Sequence, residues 1–560
     1  MGWVALVGPE IEENLGLRYI SASLRAAGFC TEILPFNSGC DLPQILAVVE
    51  GATSAPLMVA VSMAFQWRAE DAMALIVALR ERGYAGHLTV GGHFGTFVHR
   101  ELLRDFPELD SVCCFESEES MVRLAEAVRA QGRTLVQPLL GIANRAESGA
   151  VVFPGARAAP ELEHLAWPDR RGEAATCLGH RIAAMVMSRG CYANCAFCCI
   201  AAWHQAQCPG QRFRLRPVAD VADEMVWLRR DLNREIFIFH DDNFFVPDKR
   251  ESLARIHGLA DALAARGMGS FATIVKARPT DVTAEVFEVM RQRLQCIRVF
   301  LGVENDAAQG LKTLNRRVSR RRNHEAMQIL RELGIYVCYN MLVFDPDATF
   351  GSLRTNLEFI VEHGHYPSNF GRVELYAGTP LLARMQAEGR ATGTYFRWNY
   401  SLASRGMDRV FDMAMSCFYE RNFSGRALAN RLQSTRFDAE VCRRFHPRVY
   451  RDEWRQRAES LSRALAEDSA RGLYEIIELV EKSGSEADGR DLVSSLSQRL
   501  RDTENRLALE ATSLEREIQT AVRAFCHHGR PRVATLTSLR GDKQGCASSS
   551  LTSTVTPESA

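Results

Sequence analysis

The chain has 560 residues, 46% hydrophobic and 24% charged, proportions that exclude a disordered, fibrous or low-complexity protein over most of its length. Its 68 Lys and Arg balance 68 Asp and Glu, so no net field draws it to nucleic acid or an anionic membrane, and neither is expected as a partner. The start, Met1-Gly2-Trp3-Val4-Ala5-Leu6-Val7-Gly8, lacks the basic residues and long apolar run of a secretory leader. No uncharged apolar stretch approaches the roughly 18–20 residues of a membrane span. A cytoplasmic location is the expectation, and there the 16 cysteines should be thiols unless they bind metal.

Apolar runs over 3–7, 31–34, 57–62, 87–90 and 111–115 alternate with amphipathic stretches such as 17–27 and 72–82. This rhythm predicts a Rossmann-like, doubly wound parallel sheet over 1–145, with ligands at the carboxyl ends of its strands. Those ends carry Gly8-Pro9, Ser62, Gly91-Gly92 and Glu116-Ser117-Glu118. Residues 146–180, rich in Ala, Gly and Pro, show no sustained periodicity and read as a linker. Over 181–385 the alternation restarts, with strands at 183–187, 236–240, 270–275, 297–302, 336–343 and 372–376 and helices between them. Six such units predict a partial (β/α)6 barrel with its chemistry at the C-terminal rim. Residues 386–485 read as a helical substrate-side domain, and 484–489 as a second linker. The last block, 486–560, opens with a long polar helix over 491–525. Its heptad trace, Val493, Leu496, Leu500, Leu507 and Leu514, suits a solvated or self-associating helix. The Ser/Thr-rich end at 547–560 is expected to be disordered. The fold class is thus α/β, a Rossmann-like sheet followed by a partial barrel and a helical C-terminal region.

Directly after the first barrel strand stands Ser188-Arg189-Gly190-Cys191-Tyr192-Ala193-Asn194-Cys195-Ala196-Phe197-Cys198. Thiolates at i, i+4 and i+7 can take three irons of a cube-shaped cluster and leave the fourth open to a ligand. Gly190 lets the strand turn sharply into the loop. The alternative is zinc, completed by Cys208 or His204, although structural zinc sites favour CxxC pairs.

The CxxxCxxC motif, with Phe197 before its third cysteine, resembles the radical S-adenosylmethionine (SAM) superfamily. Phe239-His240-Asp241-Asp242-Asn243-Phe244-Phe245 is similar to the family's segment that hydrogen-bonds the SAM amino group. Gly302-Val303-Glu304 resembles the segment that meets the ribose, and Leu375-Tyr376-Ala377-Gly378-Thr379-Pro380-Leu381 the sixth-strand segment. As alternatives, Asp241 and Asp242 cap the next helix and Glu304 pairs with an arginine. The first sheet resembles the cobalamin-binding domain of one large radical SAM subfamily, on Asn14–Ile20, Ser62, Gly91-Gly92 and Glu116-Ser117-Glu118. A Rossmann-like domain for another nucleotide stays open, though no GxGxxG follows the first strand.

The resemblance implies a [4Fe–4S] cluster on Cys191, Cys195 and Cys198, and SAM and cobalamin contacts at Phe197, Asp241, Asp242, Asn243, Glu304, Ser62, Gly91, Gly92 and Glu116. Families that ligate cobalt with histidine carry Asp-x-His-x-x-Gly after the first strand. Here that loop, Gly8-Pro9-Glu10-Ile11-Glu12-Glu13-Asn14-Leu15-Gly16, has no histidine, so cobalamin with no histidine on cobalt is expected. Cobalt's lower face should then meet a residue among Met63, Ala64, Phe65, Gln66 and Trp67, while His93 should be a polar contact. The implied activity is C-methylation of an unactivated carbon in a small-molecule or carrier-bound secondary metabolite, with methylcobalamin as methyl donor and an external flavodoxin- or ferredoxin-type reductant. A non-methylating oxidative cyclase or ring-rearranging enzyme is the alternative.

Overall fold

The computed structural model describes residues 2–528 apart from 423, 425, 426, 483 and 484, so the tail at 547–560 lies outside the described residues. Five apolar segments form parallel strands β1 (Trp3–Gly8), β2 (Cys30–Pro35), β3 (Met58–Ser62), β4 (His87–Gly91) and β5 (Ser111–Cys113), in the order β2-β1-β3-β4-β5. Helices cover both faces, so β1 is apolar throughout. Val4 and Leu6 enter one core layer, Ala5 and Val7 the other. The sheet continues past residue 145, because β6 (Ile142–Arg145) and β7 (Val151–Val152) add to its edge antiparallel. The start of the expected linker is thus part of the first sheet, and a two-residue strand is too short to leave a periodic signal.

The second sheet contains β8 (Thr176–Cys177) and β9 (His180–Met185). A ribbon of β10 (Ser188–Gly190) and β11 (Phe213–Leu215) then brackets the cysteine loop. The sheet resumes with β12 (Arg234–Phe239), β13 (Ala272–Ala277), β14 (Cys296–Leu301), β15 (Tyr336–Phe344) and β16 (Ser368–Arg372). The order β16-β15-β14-β13-β12-β9 is parallel throughout, with β8 antiparallel at the edge, and the sheet curls into a half-barrel. The sixth strand lies at Ser368–Arg372, four residues before the 372–376 expected. Val373 to Tyr376 have the better strand composition, but after Val373, whose N–H still donates to Phe344 O of β15 (3.1 Å), the chain leaves the sheet, where the buried Gln66 side chain donates to Leu375 O (3.0 Å) and accepts from Ala377 N–H (2.9 Å).

Four long helices end the described residues: Arg405–Asn422, Leu428–Phe445, Asp452–Glu481 and Glu486–His528. The last corrects the reading of a solvated or self-associating helix. It packs on the other three, and its apolar stripe, Leu496, Leu500, Leu507, Leu514, Ile518 and Val522, is buried. Arg421, fully buried, ties the bundle through Asp468 (2.8 Å) and Glu504 (2.7 Å). The helix begins at Glu486, so most of the expected second linker is helical. Within one chain, a heptad stripe serves a bundle as well as a coiled coil, and sequence alone does not choose.

Buried charges fasten the two sheets together. Arg170, from the segment read as a linker, donates to Glu13 of the loop after β1 (2.5 Å) and to Glu224 behind the barrel (2.8 Å). Arg216 takes the other Glu224 oxygen at 2.8 Å. The packing of the last helix predicts that Leu500→Ala destabilises the protein by roughly 2–5 kcal/mol. Leu509→Ala, on the exposed face of the same helix, should change stability by less than about 0.5 kcal/mol in denaturant titrations followed by circular dichroism.

Candidate active site

The carboxyl ends of both sheets face one cavity of about 830 Å³, toward the large end of ligand pockets. The first sheet contributes Ser62, Gly91 and Gly92, and the barrel contributes Asp242, Arg298 and Phe300. The Leu428–Phe445 helix closes another side with Asn430, Gln433 and Ser434.

Gly190 begins the cysteine loop with φ +88°, and a Cβ there would lie 2.1 Å from Arg212 O, so only glycine makes this turn. Its N–H donates to Asp242 Oδ2 at 3.0 Å. The loop is laced to the barrel rim by Ala196 N–H to Leu314 O (2.9 Å) and Leu381 N–H to Ala196 O (2.9 Å). Phe197 packs against the barrel core. Cys198 opens the helix Cys199–Gln207 as its N-cap. Burial pushes the Cys191 thiol up to about 11 and the Cys198 thiol higher still, so a metal centre here displaces protons as it forms. The neighbouring Cys199 thiol is pushed to about 11 by the same burial.

Mononuclear zinc at about 2.3 Å from each sulfur needs those sulfurs about 3.8 Å apart. The three sulfurs here are not gathered even within 4.8 Å of one another, with or without Cys208 or His204 as a partner. That spread suits thiolates that each bind a different iron. Two buried arginines, missed in the sequence, converge on one sulfur: Arg316 Nη1 lies 3.0 Å and Arg278 Nη1 3.2 Å from Cys195 Sγ. Neither sits in a motif. They come from the end of β13 and the loop beyond β14, and only the fold unites them.

The three residues Asp241, Asp242 and Asn243 separate in role. Asp241 is buried, accepting from Met187 N–H (3.1 Å) and Ser188 Oγ (2.5 Å), and burial raises its pKa to about 6. Asn243 Nδ2 donates to Phe245 O (2.9 Å). Asp242 alone of the three borders the cavity. Glu304 adopts φ +65°, a left-handed conformation costly for a glutamate and held by Leu342 N–H on its carbonyl (2.5 Å). Burial raises its pKa, opposed by Arg316 and Arg278.

On the opposite wall, a Cβ on Gly92 (φ +107°) would lie 2.8 Å from Ala64 N, so glycine is required there too. Of the residues expected under cobalt, Met63 is in the core, whereas Ala64, Phe65 and Trp67 line the cavity. Phe65 (52% exposed) and Trp67 (41%) are large apolar side chains left open to that space, as a flat apolar ligand face requires. His93 packs against Trp203 in a tilted arrangement (centroids 4.7 Å apart), and burial pushes its pKa down. Glu116 borders the cavity and is also ion-paired: Arg189 reaches it at 2.5 Å and Glu118 at 2.7 Å, and Arg214 binds it too. Burial works against the Arg189 charge, but Glu118 and Glu116 overcome this and raise its pKa.

Comparison with known proteins agrees with this geometry. Residues 4–125 match the B12-binding domain family and residues 185–360 the Radical SAM superfamily. The chain belongs to the cobalamin-binding radical SAM family. Its cofactors are therefore a [4Fe–4S] cluster, SAM and cobalamin. Hopanoid C-3 methylase of Methylococcus capsulatus is 29% identical over 355 residues, 60% of this chain and 61% of that protein. Anaerobic magnesium-protoporphyrin IX monomethyl ester cyclase of Rubrivivax gelatinosus is 28% identical over 260 residues, 44% of this chain and 43% of that protein. The chain thus matches less than two thirds of the length of either relative. The solved structure of the cobalamin-dependent SAM radical enzyme OxsB, with aqua-cobalamin and SAM bound, aligns with a TM-score of 0.65 at 16% identity. The alignment covers 94% of this chain and 84% of that one, a likeness of fold. Among the described residues, no helix of this radical SAM enzyme is long and apolar enough to cross a membrane.

Anaerobically purified protein should hold about four irons and absorb broadly near 400 nm, lose both on Cys191→Ala, Cys195→Ala or Cys198→Ala, and keep them on Cys208→Ala. Arg316→Met removes a charged donor from Cys195 Sγ and should lower the cluster's reduction potential in a spectroscopic redox titration, while an unchanged potential would contradict this role. In the cob(II)alamin form, electron paramagnetic resonance should show no nitrogen splitting from an axial ligand. Splitting that vanished in His93→Ala would place that histidine on cobalt.

Proposed function

We propose that the protein is a cobalamin-dependent radical SAM C-methyltransferase acting on an unactivated carbon of a small-molecule or carrier-bound secondary metabolite. The observation that carries the reading is the shared cavity, walled at once by the strand ends of the cobalamin-binding sheet, by Asp242, whose carboxylate holds the start of the cysteine loop, and by a face of the C-terminal helices. When bound, the cluster and SAM supply a 5′-deoxyadenosyl radical and cobalamin supplies a transferable methyl group. Methylation is favoured over cyclisation because the loop after β1 carries no histidine to ligate cobalt, and a cobalamin held without such a ligand would be alkylated repeatedly with less hindrance. The hopanoid methylase match, longer than that to the cyclase, supports the same choice.

In this reading Cys191, Cys195 and Cys198 hold the cluster. Phe197, Asp242 and Glu304 border SAM, while Asp241 and Asn243 brace that wall from behind. Ser62, Gly91 and Gly92 admit the nucleotide tail of cobalamin, Glu116 positions the cysteine loop through Arg189, and Ala64, Phe65 and Trp67 face cobalt from below. An external flavodoxin- or ferredoxin-type protein supplies electrons. Arg298 faces the substrate. Its guanidinium stacks on Phe300 (4.4 Å), Nε donates to Cys338 Sγ (3.0 Å), and the Glu12 carboxylate on the same cavity wall attracts it. Burial opposes its charge, but Cys338 and Tyr336 hold its pKa up, so it presents a cation to the cavity.

With the natural substrate, 5′-deoxyadenosine and S-adenosylhomocysteine should form in about equal amounts per methylated product, because one SAM makes the radical and another supplies the methyl. Substrate consumed with 5′-deoxyadenosine alone, and no label transferred from methyl-labelled SAM, would favour the cyclase reading. For an anionic substrate, Arg298→Gln should raise KM roughly 10–100-fold, the cost of losing about 1.5–3 kcal/mol of charged hydrogen bonding.

A further inference from the structure

Outside the cavity, one group of side chains has the geometry of a mononuclear metal site. His324 lies on the helix Arg320–Glu332, Glu362 ends the helix Phe350–Glu362, and His363 is the residue that caps it. His324 Nδ1 is 3.2 Å from Glu362 Oε1 and 3.3 Å from His363 Nε2, and His363 Nε2 is 3.8 Å from Glu362 Oε1. A tetrahedral zinc ion with ligand bonds of about 2.0–2.1 Å spaces its donors about 3.3–3.4 Å apart, so the three atoms already sit near three corners of such a site. Among the described residues this is the one group of three or more His, Cys, Asp or Glu side chains with ligand atoms so gathered.

A second feature points the same way. The other nitrogen of His324, Nε2, lies 3.2 Å from Oδ2 of Asp306, a fully buried carboxylate also fixed by Arg320 Nε (3.0 Å) and Asn323 Nδ2 (3.0 Å). A carboxylate behind a ligating histidine sets its tautomer and turns the free nitrogen toward the metal. Phe359 lies beneath both rings, 5.0 Å from His324 and 4.4 Å from His363, and limits their rotation. Glu362 is exposed, which leaves the fourth position open to water.

We propose that His324, Glu362 and His363 bind one zinc-class divalent transition-metal ion, oriented by Asp306 and clamping two outer helices of the half-barrel. The clamp bears on the chemistry through the chain itself. Asp306 lies two residues past Glu304, so the ion would stiffen the loop that holds Glu304 in its left-handed conformation.

The test uses full-length protein without a histidine tag, cluster intact, stripped of adventitious metal with a chelator and titrated anaerobically with zinc. One equivalent should bind, and zinc-edge X-ray absorption should show only nitrogen and oxygen neighbours at about 2.0–2.1 Å. His324→Gln and the surface substitution Glu362→Gln should each abolish or strongly weaken binding without loss of iron. Asp306→Asn should weaken it about 10–100-fold. Sulfur neighbours at about 2.3 Å would move the zinc to cysteines and overturn the proposal. So would the absence of stoichiometric zinc, or binding unchanged in both His324→Gln and Glu362→Gln with the helical circular dichroism intact.

Discussion

Arg189 holds Glu116 at 2.5 Å and Glu118 at 2.7 Å, both just beyond the fifth strand of the first sheet, one residue before the glycine that opens the cysteine loop. This contact sets the spacing between the two halves of the site. All three side chains are buried or nearly so, where an unpaired charge would cost several kcal/mol, so the pairs form together or the interface does not close. Such networks contribute little net stability against an apolar interface of the same shape, but they admit few alternative registers. Arg170 with Glu13 and Glu224, and Gln66 with the backbone of Leu375 and Ala377, repeat the device at other points of the same interface. What is fixed this way is the relation between two strand-end surfaces, and a reaction that needs two bound cofactors depends on that relation.

Within the barrel the dominant constraint is charge around Cys195. Burial favours the protonated thiols of Cys191 and Cys198, while a bound cluster brings thiolates and therefore negative charge into the same space. Arg278 and Arg316 stand ready against that charge, and both are themselves buried. Glu304 lies beside the same pair, and its strained backbone is braced by β15.

Much of this was legible in the sequence, for physical reasons that differ from part to part. The parallel strands of both sheets announce themselves because buried strands must be apolar on both faces, and the cysteine spacing is legible because a short loop must reach three corners of one cluster. The sixth strand was misplaced because Ser368–Arg372 has poor strand composition, and the side chain that pulls the next residues away, Gln66, is some 300 residues distant in the chain. The last helix was misjudged because its partners are other helices of the same chain. Glu116 is legible because it stands at a strand end and borders the cavity, but the arginines that also hold it come from the β10–β11 ribbon and gave no signal. Arg278, Arg316 and Arg298 gave no signal at all, being single cations in a sequence rich in arginine, and only tertiary structure sets them at the site.

The central claim is that the cavity between the two sheets takes cobalamin and that the cluster sits beside it on the cysteine loop, next to Asp242. Anomalous diffraction from crystals of the holoprotein, recorded at the iron and cobalt absorption edges, tests it most directly. The account predicts an iron cluster against Cys191, Cys195 and Cys198, and cobalt in the cavity between the sheets on the side of Ala64, Phe65 and Trp67. Cobalt bound outside the space between the sheets, or iron away from these three cysteines, would contradict it.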